Sequence, residues 1–276
     1  MFLVQLTDLH IRPEGKAGYR VAETNMLSER ALRAVRALRF KPDAIVISGD
    51  LTDNGLDAEH AVLNGMLRRE ISGTPIYVIP GNHDRREAMR SAMAAFPGVT
   101  SDPEFVQYSV EDLPVRLVML DTVVPGHGHG ELCAKRLAWL DRTLAAAPER
   151  TTIVVMHHPP FVTGIGHMDA INLRDSDAFA AVIARHRQVE RILCGHHHRP
   201  IIGRVAHAIA SVAPSVAHQV ELDLHGGEQG FLVLEPPAFH IHALQAGRLV
   251  THTMYVEQYP GPFPFVVEPE YPGAKP

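Results

Sequence analysis

Histidine supplies 18 of the 276 residues. Five short motifs bring it together with carboxylates and a carboxamide: Asp8-Leu9-His10, Gly49-Asp50, Gly81-Asn82-His83-Asp84, His157-His158-Pro159 and Gly195-His196-His197-His198. Imidazole is the commonest metal ligand and the side chain that titrates near neutrality. Nitrogen and oxygen donors without a thiolate suit first-row divalent ions such as Mn, Fe, Co or Zn. They do not suit an all-oxygen Mg site or a sulfur-rich structural zinc. A single Asp-X-His is a common polar turn, so each motif alone is weak. The strength of the pattern lies in where the five fall.

Each motif closes a short apolar run. The runs at 2–6, 44–48, 76–79, 152–156 and 191–194 are rich in Val and Ile and nearly continuous, as in strands buried on both faces. A sixth run lies at 116–120. Helix-like segments at 23–40, 57–71, 85–96, 133–147 and 175–187 separate the runs, and Leu27, Ala31, Ala34, Val35 and Leu38 form an apolar stripe on the first. This alternation predicts an α/β fold with crossover connections and mostly parallel pairing within one sheet system. In such folds the ligand crevice opens beyond the carboxyl ends of the strands, so motifs scattered from residue 8 to residue 198 converge there. Burying that many imidazoles and carboxylates at one rim is costly unless a cation compensates.

Beyond residue 200 helix gives way to short runs at 201–205, 231–234, 240–243 and 249–256, divided by Gly and Pro and read as antiparallel strands. The expected organisation is a metal-binding catalytic core over 1–200 and a β-rich part over 201–256 that completes the sheets or forms a small cap. A Pro-rich tail over 257–276 is expected to lie extended on its own surface or a neighbour's.

The ordered set Asp8-X-His10, Gly49-Asp50, Gly81-Asn82-His83-Asp84, His157 and Gly195-His196-X-His198 resembles the calcineurin-like metallophosphoesterase superfamily. Its Asp-X-His start, compact length and Gly-His-X-His finish are most similar to the branch of bacterial class III cyclic-nucleotide phosphodiesterases and glycerophosphodiesterases. The resemblance implies a layered β-sandwich flanked by helices, with a β-rich C-terminal part. It implies two divalent ions held by Asp8, His10, Asp50, Asn82, His157, His196 and His198. Asp50 would bridge them, with Asp8, His10 and His198 completing one site and Asn82, His157 and His196 the other. Two ions sharing a carboxylate lie roughly 3.5–4 Å apart, a spacing suited to in-line phosphoryl displacement by a metal-activated hydroxide. His83 follows a ligand without being needed as one; in the family it contacts the phosphate or protonates the leaving oxygen. Asp53 matches an aspartate that pairs with this histidine in related phosphatases, and Asp84 is the competing partner. Asn82, His83 and His218 are the candidate substrate contacts, His218 because it sits in a loop that could form a substrate wall.

Two features turn the reading toward small diesters. Two divalent ions bring four positive charges, two carboxylates and a hydroxide remove three, and a centre of about plus one is neutralised by a diester monoanion. Protein Ser/Thr phosphatases follow Gly-Asp-X-X-Asp with an Arg that grips a phosphate dianion, whereas this sequence has Asn54. Competing readings on the same core are a phosphomonoesterase, a nuclease, a nucleotide pyrophosphatase or a scaffold without catalysis; a scaffold usually loses ligands, and all seven are present. A net charge of −5 and no basic block argue against a nucleic acid polymer as partner.

Two cysteines, Cys133 and Cys194, imply no disulfide framework. No apolar stretch reaches the roughly 18 residues that span a bilayer. Residues 1–6 lack the basic lead and long apolar core of a signal peptide, so a cytoplasmic enzyme is expected. The tail and the β-rich last third are the surfaces open to a homo-oligomer. His158 and His197 are expected to serve structure, and His127 and His129 to lie in a glycine-rich loop near the mouth of the site.

Overall fold

The computed structural model describes residues 1–227, 229–267 and 270–273. In chain order the first half contains β1 (Phe2–Leu6), α1 (Thr24–Arg36), β2 (Ala44–Ser48), α2 (Asp57–Glu70), β3 (Ile76–Ile79), α3 (Arg86–Ala92), β4 (Tyr108–Val110) and β5 (Arg116–Met119). The middle holds α4 (Ala134–Ala145), β6 (Thr152–Val155), α5 (Gly166–Asp169), α6 (Ser176–Arg185) and β7 (Val189–Cys194). The last part is nearly all strand: β8 (Ile201–Val205), β9 (Ala208–Val212), β10 (Gln219–Val220), β11 (Leu232–Val233), β12 (Ala238–Gln245) and β13 (Arg248–Tyr255).

Parallel pairing by crossover is present in two sheets, the layered sandwich that the resemblance implies, where strand–helix alternation alone predicts one sheet system. The first sheet runs β13-β12-β1-β2-β3 and the second β4-β5-β6-β7-β9-β8. A continuous apolar run says that a strand is covered on both faces and does not say which sheet takes it. Strands β1–β3 and β5–β6–β7–β9 pair in parallel, while β12, β13, β4 and β8 add antiparallel edges. The period-two alternation of the second sheet explains its two-sided burial. Leu117, Met119, Ile153, Val155 and Leu193 join the core shared with Leu32, Leu63 and Met89 of α1–α3. Val118, Leu120, Val154, Met156, Ile192 and Cys194 join a second core with Leu140 and Leu144 of α4 and Phe179 and Ile183 of α6. Two sheets therefore face each other between two layers of helix.

The helices are shorter than composition predicts, because Ala, Arg and Leu carry no stop signal. Helix α1 ends at Arg36, and the chain turns to place Phe40 on the ring of Phe2, centroids 4.3 Å apart. Strand β9, Ala-Ile-Ala-Ser-Val, lies outside the predicted runs; it forms because β7 and β8 pair with both of its edges, overriding weak intrinsic preference. Residues 257–267 and 270–273 carry no helix or strand, and Phe263 and Phe265 stand exposed. No helix among the described residues is long and apolar enough to cross a membrane.

Candidate metal centre

Strands β1, β2, β3, β6 and β7 end at one rim, and their next residues turn sharply to aim side chains at a common point. Asp8, His10, Asp50, His196 and His198 all adopt the left-handed backbone region, with φ between 47° and 73°. Such conformations cost of order 1–3 kcal/mol each in a non-glycine residue, and they persist where surrounding structure over-determines them. The glycines of the motifs are needed for close approach. A Cβ on Gly81 would collide with the carboxylate and backbone nitrogen of Asp50, and one on Gly49 with the ring of His157. Gly81→Ala is accordingly expected to leave the secondary structure intact while lowering metal affinity roughly tenfold or more. Elemental analysis beside circular dichroism checks this, and full metal content in a folded variant would contradict it.

The seven candidate ligands converge. Atoms of Asp8, His10, Asp50 and His198 lie within 4.8 Å of one another. Asp50 Oδ2 stands between the two halves, 3.6 Å from His10 Nε2 and 3.4 Å from His157 Nε2. On the second half, Asn82 Oδ1 is 3.2 Å from His157 Nε2. Each imidazole is pinned through its other nitrogen. His157 Nδ1 donates to the Ser48 carbonyl at 2.9 Å, His198 Nδ1 to the His218 carbonyl at 2.8 Å, and His196 Nε2 to the Ile171 carbonyl at 3.0 Å. His10 Nδ1 donates to Asp53 Oδ1 at 3.1 Å. A carbonyl can only accept, so these contacts put a proton on the outward nitrogen and, in a neutral ring, leave the inward nitrogen as a lone pair. His10 Nε2 and His198 Nε2 face each other at 3.2 Å, so with both rings neutral two lone pairs meet there. That arrangement is repulsive without a cation, and the donor set fits divalent ions.

Electrostatics agree. Burial alone would raise the Asp50 carboxyl, yet the imidazoles of His157, His83 and His10 hold it well below the usual carboxylate range. Asp8 is likewise held down, against burial, by His198 and His157. Burial opposes a proton on His157, but Asp50 and Asp8 outweigh it and lift the imidazolium to about 9. Buried carboxylates here seek positive charge of any source.

His83 sits at the rim, half-buried. Its backbone N–H donates to Asp50 Oδ1 at 2.9 Å, and its Nδ1 to the backbone carbonyl of Asp53 at 2.8 Å. The Asp53 carboxylate lies 3.8 Å from that nitrogen and is instead taken by His10 and by Arg12 Nη1 at 2.8 Å. Asp53 therefore orients His83 through its main chain and His10 through its side chain. Asp84 does neither. Its buried carboxylate accepts from Gly81 N, Leu51 N, Thr52 N and Thr52 Oγ1 at 2.7–3.0 Å, tying the end of β2 to the end of β3. His218 lines the cavity over the cluster, its ring centroid 4.6 Å from that of His198. His158 lies within 4.8 Å of His157 and His196 ligand atoms, but Thr122 and the Gly128 carbonyl occupy both its ring nitrogens, as Thr163 and Asn172 occupy those of His197. His127 lines a cleft beside His83.

Two residues at the site carry no sequence signal. Tyr19 lies in the loop after β1 and walls the cavity; its phenol is pushed up to about 12 by burial and then by Asp53, Asp50 and Asp8. Arg12 holds the second oxygen of Asp53. Neither follows a strand directly, and only the fold brings them in.

An α/β sandwich that gathers buried, cation-seeking ligands at the carboxyl ends of its strands has the architecture of a metal-dependent hydrolase. The family model for calcineurin-like phosphoesterases matches residues 1–200, and the chain belongs to that family, which works with a dinuclear centre of divalent ions. It is 33% identical over 270 residues to a probable glycerophosphodiester phosphodiesterase of Arcobacter nitrofigilis, covering 97% of this chain and 98% of that one. It is 36% identical over 259 residues to a probable cyclic nucleotide phosphodiesterase of Rhodopseudomonas palustris, with 91% of each covered. In fold it is similar to the crystal structure of a dimetal phosphatase from Danio rerio, with a TM-score of 0.68 at 15% identity over 94% of this chain and 97% of that one.

Proposed function

We propose that this protein is a metal-dependent phosphodiesterase that hydrolyses small phosphodiesters, either glycerophosphodiesters or 3′,5′-cyclic nucleotides. The observation that carries the reading is the composition of the cavity of about 230 Å³ over the cluster. One wall is imidazole and carboxylate; the other is Tyr19, Met168, Ile171, Phe231 and Leu232, with no Lys or Arg among the lining residues. A monoester dianion needs a guanidinium fork that this wall does not supply. A diester monoanion needs one charge matched and an apolar surface for its ester arm.

Asp50 shared between Asp8, His10 and His198 on one side and Asn82, His157 and His196 on the other would hold two ions, with Mn, Fe, Co and Zn the candidates. Such ions supply Lewis acidity toward phosphoryl oxygens and bring the ionisation of water near neutral pH. The chain does the rest. Asn82 and His83 position the phosphate; the Asp53 carbonyl fixes the His83 ring through Nδ1, and Asp50 and that carbonyl raise its pKa against burial, so that the imidazolium Nε2–H gives a proton to the leaving oxygen. Tyr19, His218 and Phe231 shield the ester arm from water. The same reading makes the protein a cytoplasmic enzyme that does not act on nucleic acid polymers, with its exposed C-terminal aromatics the contact open to a second copy.

Turnover by the metal-loaded protein of cAMP, glycerophosphoethanolamine, a phosphomonoester and a dinucleotide tests the reading. One of the first two should exceed both others by at least tenfold in kcat/KM, and a preferred monoester would overturn it. His83→Ala should keep both metals and slow hydrolysis by roughly 10²-fold or more for alkyl leaving groups, and much less for nitrophenolate. Equal slowing for every leaving group would remove His83 from the acid role.

A further inference from the structure

Each ion of the centre described above would draw ligands from both sheets. Asp8, His10, Asp50 and Asn82 follow β1, β2 and β3 of the first sheet, and His157, His196 and His198 follow β6 and β7 of the second. The gap between the sheets at this rim therefore sets the distances between ligands. Two residues below Asp50 and His196, that gap is crossed by Gln5, a fully buried amide in the apolar run Phe2-Leu3-Val4-Gln5-Leu6. Gln5 Nε2 donates to Ser48 Oγ on β2 at 2.9 Å and to the Cys194 carbonyl on β7 at 3.0 Å, one bond to each sheet. Gln5 Oε1 accepts from His242 Nε2 on β12 at 3.1 Å.

We propose that Gln5 is a positioning residue of the metal centre, holding the two sheets at the separation that lets both ions bind; this rests on the two-ion phosphodiesterase reading above. A carbonyl only accepts, so the atom facing Cys194 is the nitrogen and the amide has a single orientation. Burial first, and then His240 and Arg191, push the His242 imidazole down to about 3. That ring is therefore neutral, donates through Nε2, and accepts at Nδ1 from Thr251 Oγ1 at 2.8 Å.

Both strands that Gln5 joins lead directly into ligands. The Ser48 carbonyl accepts from His157 Nδ1 at 2.9 Å, and Cys194 runs through Gly195 into His196. A Cβ on Gly195 would strike the side chains of Thr7 and Asp8, so the sheets touch one residue nearer the centre and leave no slack there. A buried amide costs free energy unless its atoms are bonded, and a fully bonded one fixes a single arrangement of the groups around it. An apolar side chain of the same size would fill the space without fixing the separation.

Gln5→Leu keeps the volume and removes the bridge. The groups it frees retain partners: the Cys194 carbonyl also accepts from Ala213 N at 3.0 Å, and Ser48 Oγ donates to the Leu6 carbonyl at 3.4 Å. His242→Leu is the control, because it removes a bond to the same amide and leaves both bonds across the gap. Equilibrium dialysis reads Mn binding, electron paramagnetic resonance reads the exchange-coupled signal of the ion pair, and urea unfolding reads stability. Gln5→Leu should weaken binding of the second Mn by about tenfold or more, and His242→Leu by less than about threefold. The exchange-coupled signal of Gln5→Leu should be diminished at the Mn concentration that saturates the parent. A smaller loss in Gln5→Leu overturns the proposal. An equal loss in His242→Leu also overturns it, since metal binding would then merely follow stability. If Gln5→Leu does not fold, Gln5→Leu combined with His242→Leu, which also removes the His242 N–H left without an acceptor, decides by the same criterion. A parent that binds fewer than two ions overturns the proposal as well. A parent that binds two ions and hydrolyses no diester removes the phosphodiesterase reading, while dialysis still decides for Gln5.

Discussion

Asp50→Asn is expected to abolish tight binding of both metal ions and to lower diester turnover by roughly 10³-fold or more. The replacement keeps the shape of the side chain and removes its charge. Among the described residues Asp50 Oδ2 is the one carboxylate oxygen within 4 Å of both His10 and His157, at 3.6 and 3.4 Å, so its charge serves both halves of the cluster. Lewis-acid stabilisation is worth several kcal/mol, and about 1.4 kcal/mol is tenfold in rate, which sets the expected loss. The fold should survive, because the variant relieves a buried carboxylate of its need for a partner. Replacing Asn82 with alanine makes the contrast, since Asn82 reaches only the His157 half and one ion should be lost preferentially. Equilibrium dialysis and steady-state kinetics together check this. Retention of both ions by Asp50→Asn would show that Asp50 does not bridge.

Asp84→Ala is expected to cost on the order of 3–5 kcal/mol of stability, from four donors left without an acceptor at about 1–3 kcal/mol each, with partial compensation by water. The four are Gly81 N, Leu51 N, Thr52 N and Thr52 Oγ1, all buried beneath the site. Burial first, and then the charge of Asp50, raise the Asp84 carboxyl above its ordinary value. The sign follows: a carboxyl with a raised folded pKa stabilises the fold least when ionised, so its own contribution weakens as pH rises through that value. The network of donors outweighs this, and urea unfolding at neutral pH should show the full loss. A loss below about 1 kcal/mol would mean that water replaces the carboxylate without cost.

The site was more legible in the sequence than the sheet that carries it. Asp8, His10, Asp50, Asn82, His157, His196 and His198 each follow a strand end, and one physical rule, that crevices open at the carboxyl ends of parallel strands, brings them together. The number of sheets was not legible in the apolar runs themselves; it came only with the sandwich that the family resemblance implies. Val-rich runs such as Ala44–Ser48 and Thr152–Val155 have the same apolar character whether they join the first sheet or the second. Nor was the partner of the Asp53 carboxylate legible. Three-residue spacing from Asp50 places Asp53 near both His10 and His83, and 0.7 Å, the difference between 3.1 and 3.8 Å, decides which ring receives its carboxylate. Tyr19 lies in a loop with no periodicity, and its arrival in the cavity depends on how residues 11–22 fold back over the strand ends. Strand β9 was hidden for the opposite reason: its residues are small, and pairing on both edges supplies what intrinsic preference lacks.

Imidazole nitrogens that face each other across 3.2 Å, and a single carboxylate set between two groups of imidazoles, are the basis for reading this cluster as a two-ion centre. Metal content of the purified protein after incubation with Mn and removal of free ion, read beside turnover of bis(p-nitrophenyl) phosphate, tests that claim most directly. Two ions per chain and metal-dependent turnover are expected. Less than one ion per chain with no turnover would contradict it.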